Sequence, residues 1–515
     1  MRPPPFVIRK VAQHLERTQQ RAHAHAEQQQ AKLLARIVAR YRHTELGREL
    51  GLPSVHDVAS FRSVVRTQLP ADYVPRWDAA KEHNRPGMVH PKRLEFMGLS
   101  SGTSGVDKFI PFPDEQFANF RLFTNHAFFH AFFALDDATL LAENILVTSG
   151  PPIREVTPSG ITIGYGSGLA TLKAPRFARQ LVRPTRAVLE IPAWGDKIRA
   201  MVDEAIDLDI RVLTGVPNSV VPLLEQLLGT ARERGRNVRC AKDVWPHLRV
   251  YAYSGSTLTM WEARLRELLG EGVAFFEVYS STEAPVAYQH RVGEPGLLLD
   301  LLTGYHEFEP VGGPAGVRVG VSDLEVGGLY DIVVTGPGGI FAYKLGDRVE
   351  VLSRDPYVIR FAGRDREEIN IGVERLALTD VRAALMGCAA EEGLVIHQFL
   401  VCPTAPEMGQ RLTHEYAIEL GAPAPTGFDA QRFVAKVDAR LAAGNKMYQT
   451  SRRGDAIMRP PVLRVMPRGT IERYVLEHLT FGQSKVVHLY SSRAVPEQIF
   501  ALAERLASAS PESES

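Results

Sequence analysis

The chain has 515 residues, too many for one compact core, so at least two domains are expected. With 45% hydrophobic and 23% charged residues, its composition is that of an ordinary globular enzyme. Lys and Arg number 60 against 59 Asp and Glu, so no overall field draws the chain to nucleic acid or an anionic membrane. Cys240, Cys388 and Cys402 are scattered, with neither zinc spacing nor a disulfide framework, which fits a reducing cytosol. The basic start leads into a Gln/His/Arg-rich segment rather than a signal-peptide core. No apolar run is long enough to span a bilayer, and a soluble cytoplasmic protein is expected.

In chain order, Val7 to Tyr41 reads as a long helical pattern on which His23 and His25 are expected to be solvated. Thr44 to Gly51 ends in glycine as helices do, and Ser54 to Arg66 suggests a short helix capped by Ser54. Leu69 to Tyr73 reads as an irregular connection, and Arg93 to Met97 as a short buried strand. The Ser/Gly loop that follows, Leu99 to Lys108, is expected to join that strand to a helix starting near Pro113. The aromatic set from Phe117 to Phe133 has the helical spacing of a core face. Gly164-Tyr165-Gly166-Ser167-Gly168 lacks a strand-to-helix setting on this reading and suggests a pocket-lining loop.

From Trp194 to Gly272 helices alternate with short apolar strands, the pattern of a largely parallel sheet whose ligands sit at strand carboxyl ends. Beyond Glu283 the texture turns to strands and turns, up to a polar break at Gly363 to Arg366. A smaller unit of helices and strands follows, and Ser508 to Ser515 is Ser/Glu/Pro-rich and expected to be disordered.

Four polar clusters carry the chemistry. Ser100, Ser101, Gly102, Thr103, Ser104 and Lys108 combine backbone N–H groups, hydroxyls and a cation, which suits a polyphosphate oxygen. In Tyr279-Ser280-Ser281-Thr282-Glu283 the ring could lie on a purine, the hydroxyls could reach phosphate and Glu283 could hold Mg²⁺. In Tyr343-Lys344-Leu345-Gly346-Asp347 a carboxylate after a tight glycine can accept both ribose hydroxyls. The fourth is Gly482-Gln483-Ser484-Lys485. Each alone also suits a solvated turn, a salt-bridged Asp or a surface Lys.

Together these motifs resemble those of the auxin-responsive acyl-acid amido synthetases, plant enzymes with bacterial relatives that join jasmonate, auxin or benzoates to amino acids. They belong to the adenylate-forming superfamily with acyl-CoA synthetases and luciferases. The resemblance covers nearly the whole chain, including Asn445-Lys446-Met447-Tyr448, Arg452, Gly469-Thr470 and the segment up to Lys485, which separate this family from acyl-CoA synthetases. The first loop is one residue shorter than in the plant enzymes. Ser280, Thr282 and Lys344 replace the common Ala, Ser and Arg while keeping hydroxyl and charge. Ser149 to Ala193 is unlike the plant enzymes, so acid specificity does not carry over.

The resemblance implies an α/β fold. A large N-terminal domain (1–365) would hold helix-flanked mixed or parallel sheets plus a β-rich, barrel-like part, with a smaller, mobile α+β C-terminal domain (366–507) hinged at the Gly363–Arg366 break. It also implies a ligase that uses ATP and Mg²⁺ to adenylate a small carboxylic acid, then passes the acyl group to an amine, an amino acid in this family. Ser100, Ser101, Gly102, Thr103, Ser104 and Lys108 would hold phosphates. Tyr279 would pack on adenine beside Gly255, Ser280 to Thr282 would line the nucleotide, Glu283 would bind Mg²⁺ and Asp347 ribose. Lys485, with Thr103 and Glu283, would act in adenylation. The alternatives are an acid:CoA or acid:carrier ligase and a non-catalytic nucleotide-binding protein. No oligomeric state is assigned.

Overall fold

The first two helices, Pro5–Ala24 and Ala26–Tyr41, part at His25, whose backbone (φ −128°, ψ 41°) leaves the helical region. The second buries Leu33, Leu34, Ile37, Val38 and Tyr41, one stripe at helical spacing. His23 departs from the solvated expectation. It is half-buried, accepts the Tyr357 N–H at 3.1 Å and stacks on the Tyr357 ring. Asp57, not Ser54, caps the helix Val58–Val64, while Ser54 closes a 3-10 turn, Leu52–Ser54. The expected irregular connection at Leu69 to Tyr73 is instead the start of the helix Pro70–His83. Pro70 sits at its first position, where no N–H is needed, and Asp72 accepts the Leu69 N–H at 2.8 Å.

This computed structural model describes residues 5–101, 107–137, 140, 144–174, 176–254, 258, 261–314, 316–364, 368–369, 376–404, 413–452, 458–478, 487–490 and 492–509. Two compact units are present: Met1–Phe361 with Thr480–Gln483, and Ala362–Leu479 with Ser484–Ser515. No helix among the described residues is long and apolar enough to cross a membrane.

The strands of the first unit begin with β1 (Phe96–Ser101), β2 (Asp107–Pro111), β3 (Asn144–Val147), β4 (Glu155–Val156) and β5 (Thr162–Tyr165). Next come β6 (Val182–Arg183), β7 (Ile210–Thr214), β8 (Val250–Tyr253), β9 (Ala274–Ser280) and β10 (Pro285–Gln289). Then follow β11 (Leu297–Leu299), β12 (Tyr305–Pro310), β13 (Leu329–Gly336), β14 (Ile340–Arg354) and β15 (Tyr357–Arg364). A small sheet has the order β2-β1-β5-β4, and a large one β12-β13-β14-β15-β11-β10-β9-β8-β7-β3-β6. The β-rich part is therefore hydrogen-bonded into the same sheet as the parallel strands. β9 is the seam: it pairs parallel with β8 and antiparallel with β10.

The helix Asp114–Leu135 lays Phe123, Ala127 and Ala131 on Val212, Val250, Ala252 and Phe276 of the parallel strands. Its aromatics are core as expected, with Phe117, Phe123 and Phe132 buried and Phe120, Phe128, Phe129 and Phe133 packed against the clusters. The alternation read from Trp194 to Gly272 is present as Trp194–Ala205, β7, Pro217–Glu233, β8, Glu262–Leu269 and β9.

In the second unit the strands Ile396–Pro403, His414–Leu420 and Val462–Met466 form a sheet, with helices Leu378–Glu391, Ala430–Gly444, Thr470–His478 and Ala494–Ala509. The last helix was not foreseen. It runs through Ser508 to Ala509, and 510–515 lie outside the described residues. Buried Glu419 accepts the N–H groups of Gly469 (2.8 Å) and Ile471 (2.5 Å) at the start of Thr470–His478, and burial pushes its carboxyl up to about 7 against those bonds.

Candidate active site

The strands on either side of the Ser/Gly loop pair with each other, where the sequence suggested a strand leading into a helix. β1 and β2 pair antiparallel from Met97↔Pro111 to Ser101↔Asp107, which sets Ser100 opposite Lys108 at the base of the turn. Gly102, Thr103 and Ser104 lie outside the described residues, as do Gly255 and Lys485, and so does the side chain of Ser101. The other glycine run does have a strand-to-helix setting, contrary to expectation: β5 ends at Tyr165 and the helix Gly166–Leu172 begins at once. Gly164 and Gly168 serve packing, since methyls there would stand 2.0 Å from the Pro152 carbonyl oxygen and 2.5 Å from the Gly150 carbonyl oxygen.

The second motif is the turn between β9 and β10. Ser281 N–H donates to the Ala284 carbonyl at 2.9 Å, and the Ser281 hydroxyl also engages Ala284, at 3.3 Å. Thr282 packs beside β1, the strand that leads into the first motif, because a methyl on Gly98 would stand 2.6 Å from Thr282 Cγ2. The same side chain lies near Gly166, where such a methyl would be 3.6 Å away. Three segments distant in sequence thus meet at Thr282.

Glu283 is buried (7% exposed), and the Tyr343 hydroxyl donates to its Oε1 at 3.3 Å. Gln116, wholly buried on the helix Asp114–Leu135, donates from Nε2 to the Glu283 carbonyl at 2.9 Å. Tyr279 extends from the same turn, and its hydroxyl donates to Asp347 Oδ2 at 2.8 Å. Asp347 is 4% exposed and follows Gly346, which holds φ +82°. An L side chain adopts that angle only at a cost, so glycine here shapes the chain that presents Asp347. The structure therefore joins the second motif to the third and sets the second beside the strand that leads into the first.

Several contacts carried no sequence signal, although Tyr343 and Lys344 themselves belong to the third motif. Gln116 and Tyr343 reach Glu283 over 167 and 60 residues, and helix or strand periodicity shows neither contact. Tyr253, at the carboxyl end of β8, donates to Glu277 Oε2 at 3.2 Å, and burial raises the Glu277 carboxyl above its ordinary range against that bond. Lys344 spans Glu309 (3.1 Å) and Asp331 (2.9 Å). Burial opposes its charge, but those two carboxylates outweigh it and raise the ammonium above the ordinary lysine value.

Residues 16–192, 297–364 and 379–494 match the N-terminal, central and C-terminal domains of the GH3 family. The chain belongs to the GH3 family. It is 24% identical over 566 residues to a probable indole-3-acetic acid-amido synthetase GH3.12 of Oryza sativa subsp. japonica, covering 90% of each chain. It is 24% identical over 434 residues to the jasmonoyl--L-amino acid synthetase JAR6 of Nicotiana attenuata, covering 70% of this chain and 73% of that one. Among solved structures, AtGH3.15 acyl acid amido synthetase in complex with 2,4-DB superposes with a TM-score of 0.80 at 18% identity over 97% of both chains. A 2-hydroxyisobutyryl-CoA ligase in the postadenylation state gives 0.55 at 14% identity, over 93% of this chain and 92% of that one. The family and these relatives support an AMP-forming amide ligase of the acyl acid amido synthetase kind.

Proposed function

We propose that this chain binds ATP on the β1–β2 hairpin, the 279–283 turn and Asp347, adenylates a small carboxylic acid there and hands the acyl group to an amino acid. The observation that carries the reading is the Tyr279–Asp347 hydrogen bond, which brings the base-stacking and ribose-binding motifs into contact. Tyr279 offers its ring face to adenine, and Asp347 offers acceptors to the ribose hydroxyls. The hydroxyls and N–H groups of Ser100 to Ser104, with Lys108 opposite Ser100, take the phosphates.

Glu283 fits Mg²⁺ as a single buried carboxylate held in place by Tyr343, since Mg²⁺ commonly takes one or two carboxylates plus substrate phosphates. When bound, Mg²⁺ supplies Lewis-acid neutralisation of the phosphate charge. The acid's carboxylate attacks the α-phosphorus, pyrophosphate departs, and the amine then attacks the acyl carbon and releases AMP. The donors of the hairpin meet the charge that grows on the leaving pyrophosphate. Lys485 is assigned by its motif to neutralise charge in the adenylation step, and residues 363–366 to hinge a lid domain that begins at 366.

Pyrophosphate exchange across a panel of carboxylic acids, followed by mass spectrometry of amide products, tests this function. Acid-dependent exchange with an amide product supports it. Thioester formation with CoA but no amide with any amino acid would replace it by the acid:CoA ligase, and ATP binding without exchange by a nucleotide-binding protein.

A further inference from the structure

Asp347 is presented by an irregularity in β14. Val333 pairs with Lys344 and Asp331 with Arg348, so β14 carries two residues more than β13 between those pairs, with Gly346 at φ +82° among them. Extra residues in one strand bend it and re-aim a side chain, and they leave the ladder locally unpaired. Such a bulge needs holding. Here the two residues that flank it, Lys344 and Arg348, both reach one carboxylate on the neighbouring strand. Lys344 Nζ is 2.9 Å from Asp331 Oδ2, and Arg348 Nε donates to Asp331 Oδ1, also at 2.9 Å.

The cluster extends one strand further. Glu309 stands directly opposite Asp331 in the β12–β13 pair, a like-charge arrangement that is unfavourable by itself. Lys344 lies between them, 3.1 Å from Glu309 Oε2, and Thr67 donates to Glu309 Oε1 at 2.5 Å. Asp331 and Glu309 side chains are 10% and 12% exposed, so this is a largely desolvated set of two cations and two anions. Breaking such a set from one side costs more than breaking a surface pair, because the remaining charges stay buried.

We propose that Asp331 is a positioning residue for the nucleotide site: by holding Lys344 and Arg348 it clamps both flanks of the bulge and fixes Asp347 where the ribose binds. This rests on the reading that Asp347 takes the ribose. Asp331 itself acts only through β14.

The test is steady-state pyrophosphate release with ATP, 2′-deoxy-ATP and 3′-deoxy-ATP by the wild type, Asp347→Ala and Asp331→Asn. Asp331→Asn is expected to raise the KM for ATP about tenfold while kcat and the KM for the acid change less than about threefold. It is also expected to lose much of the wild-type preference for ATP over the deoxy analogues, approaching Asp347→Ala. A purely structural role would lower activity with all three nucleotides alike. Unchanged discrimination in Asp331→Asn, with discrimination lost in Asp347→Ala, overturns the clamp and leaves the ribose reading standing. Full discrimination in Asp347→Ala overturns the ribose reading and the clamp with it. Should Asp331→Asn fail to fold, Arg348→Gln releases one flank only, and the same comparison decides.

Discussion

The hydroxyl of Tyr279 donates to Asp347 Oδ2 at 2.8 Å, across 68 residues of sequence. One strand end of the parallel half and one bulge of the antiparallel half thereby share a hydrogen bond. Asp347→Ala is expected to raise the KM for ATP about 10- to 100-fold, the loss of a charged hydrogen-bond acceptor. Pyrophosphate release at varied ATP checks it, with the KM for the acid as the internal control.

Glu283 is the only residue of the 279–283 turn placed to offer a carboxylate. Glu283→Gln keeps the size and the Tyr343 contact but removes the charge. The Mg²⁺ concentration that gives half-maximal pyrophosphate release is expected to rise at least about tenfold. A magnesium titration at saturating ATP measures this, and thermal unfolding without nucleotide should be nearly unchanged.

Gly98 and Thr282 form the contact between the hairpin and the turn. Gly98→Ala puts a methyl 2.6 Å from Thr282 Cγ2 and 3.1 Å from Phe112 Cδ2. Overpacking of this kind costs about 1–3 kcal/mol. Thr282→Ser removes the clashing methyl and keeps the hydroxyl, so Gly98→Ala/Thr282→Ser should recover much of the stability and ATP affinity lost in Gly98→Ala. Urea unfolding and nucleotide titration of the three variants give the coupling.

His306 and His23 are held at about 4, below the ordinary 6.5, mainly by burial, and backbone hydrogen bonds and Asp300 only partly offset it. A histidine with a depressed folded pKa binds fewer protons when folded. Its stability contribution is whole above 6.5 and is lost as pH falls towards 4. Between pH 7 and 5 each should cost about 2 kcal/mol. His306→Gln cannot take up that proton, so the loss of unfolding free energy between pH 7 and 5, measured in urea, should shrink by about that amount.

The alternation of helices and strands from Trp194 to β9 was legible because its apolar periodicity is local. The Ser/Gly segment reads in sequence as strand-to-helix because β2, Asp107–Pro111, is short and half polar and merges with the loop. The helix Pro70–His83 was missed because Pro70 and Pro75 look like breakers. Pro70 instead starts the helix, and Pro75 lies inside it. His23 gave no sign of burial, since its partner Tyr357 is 334 residues away. The motif residues themselves were visible, but the contacts that join them, Thr282 with Gly98 and Tyr279 with Asp347, belong to packing between distant strands. No periodicity encodes them. The same holds for Asp331, whose pairing across the bulge needs a register that only the folded sheet supplies.

The seam at β9 has a consequence for how the enzyme can vary. On its β8 side the strand belongs to a succession of parallel strands whose carboxyl-end loops are free to change length and chemistry. On its β10 side the turn 281–284 is closed by its own hydrogen bonds, and Glu283 is held by Gln116 and Tyr343, which come from neither those loops nor β8. The loops of the parallel half can therefore change without disturbing the hydrogen bonds that close the 281–284 turn and hold Glu283.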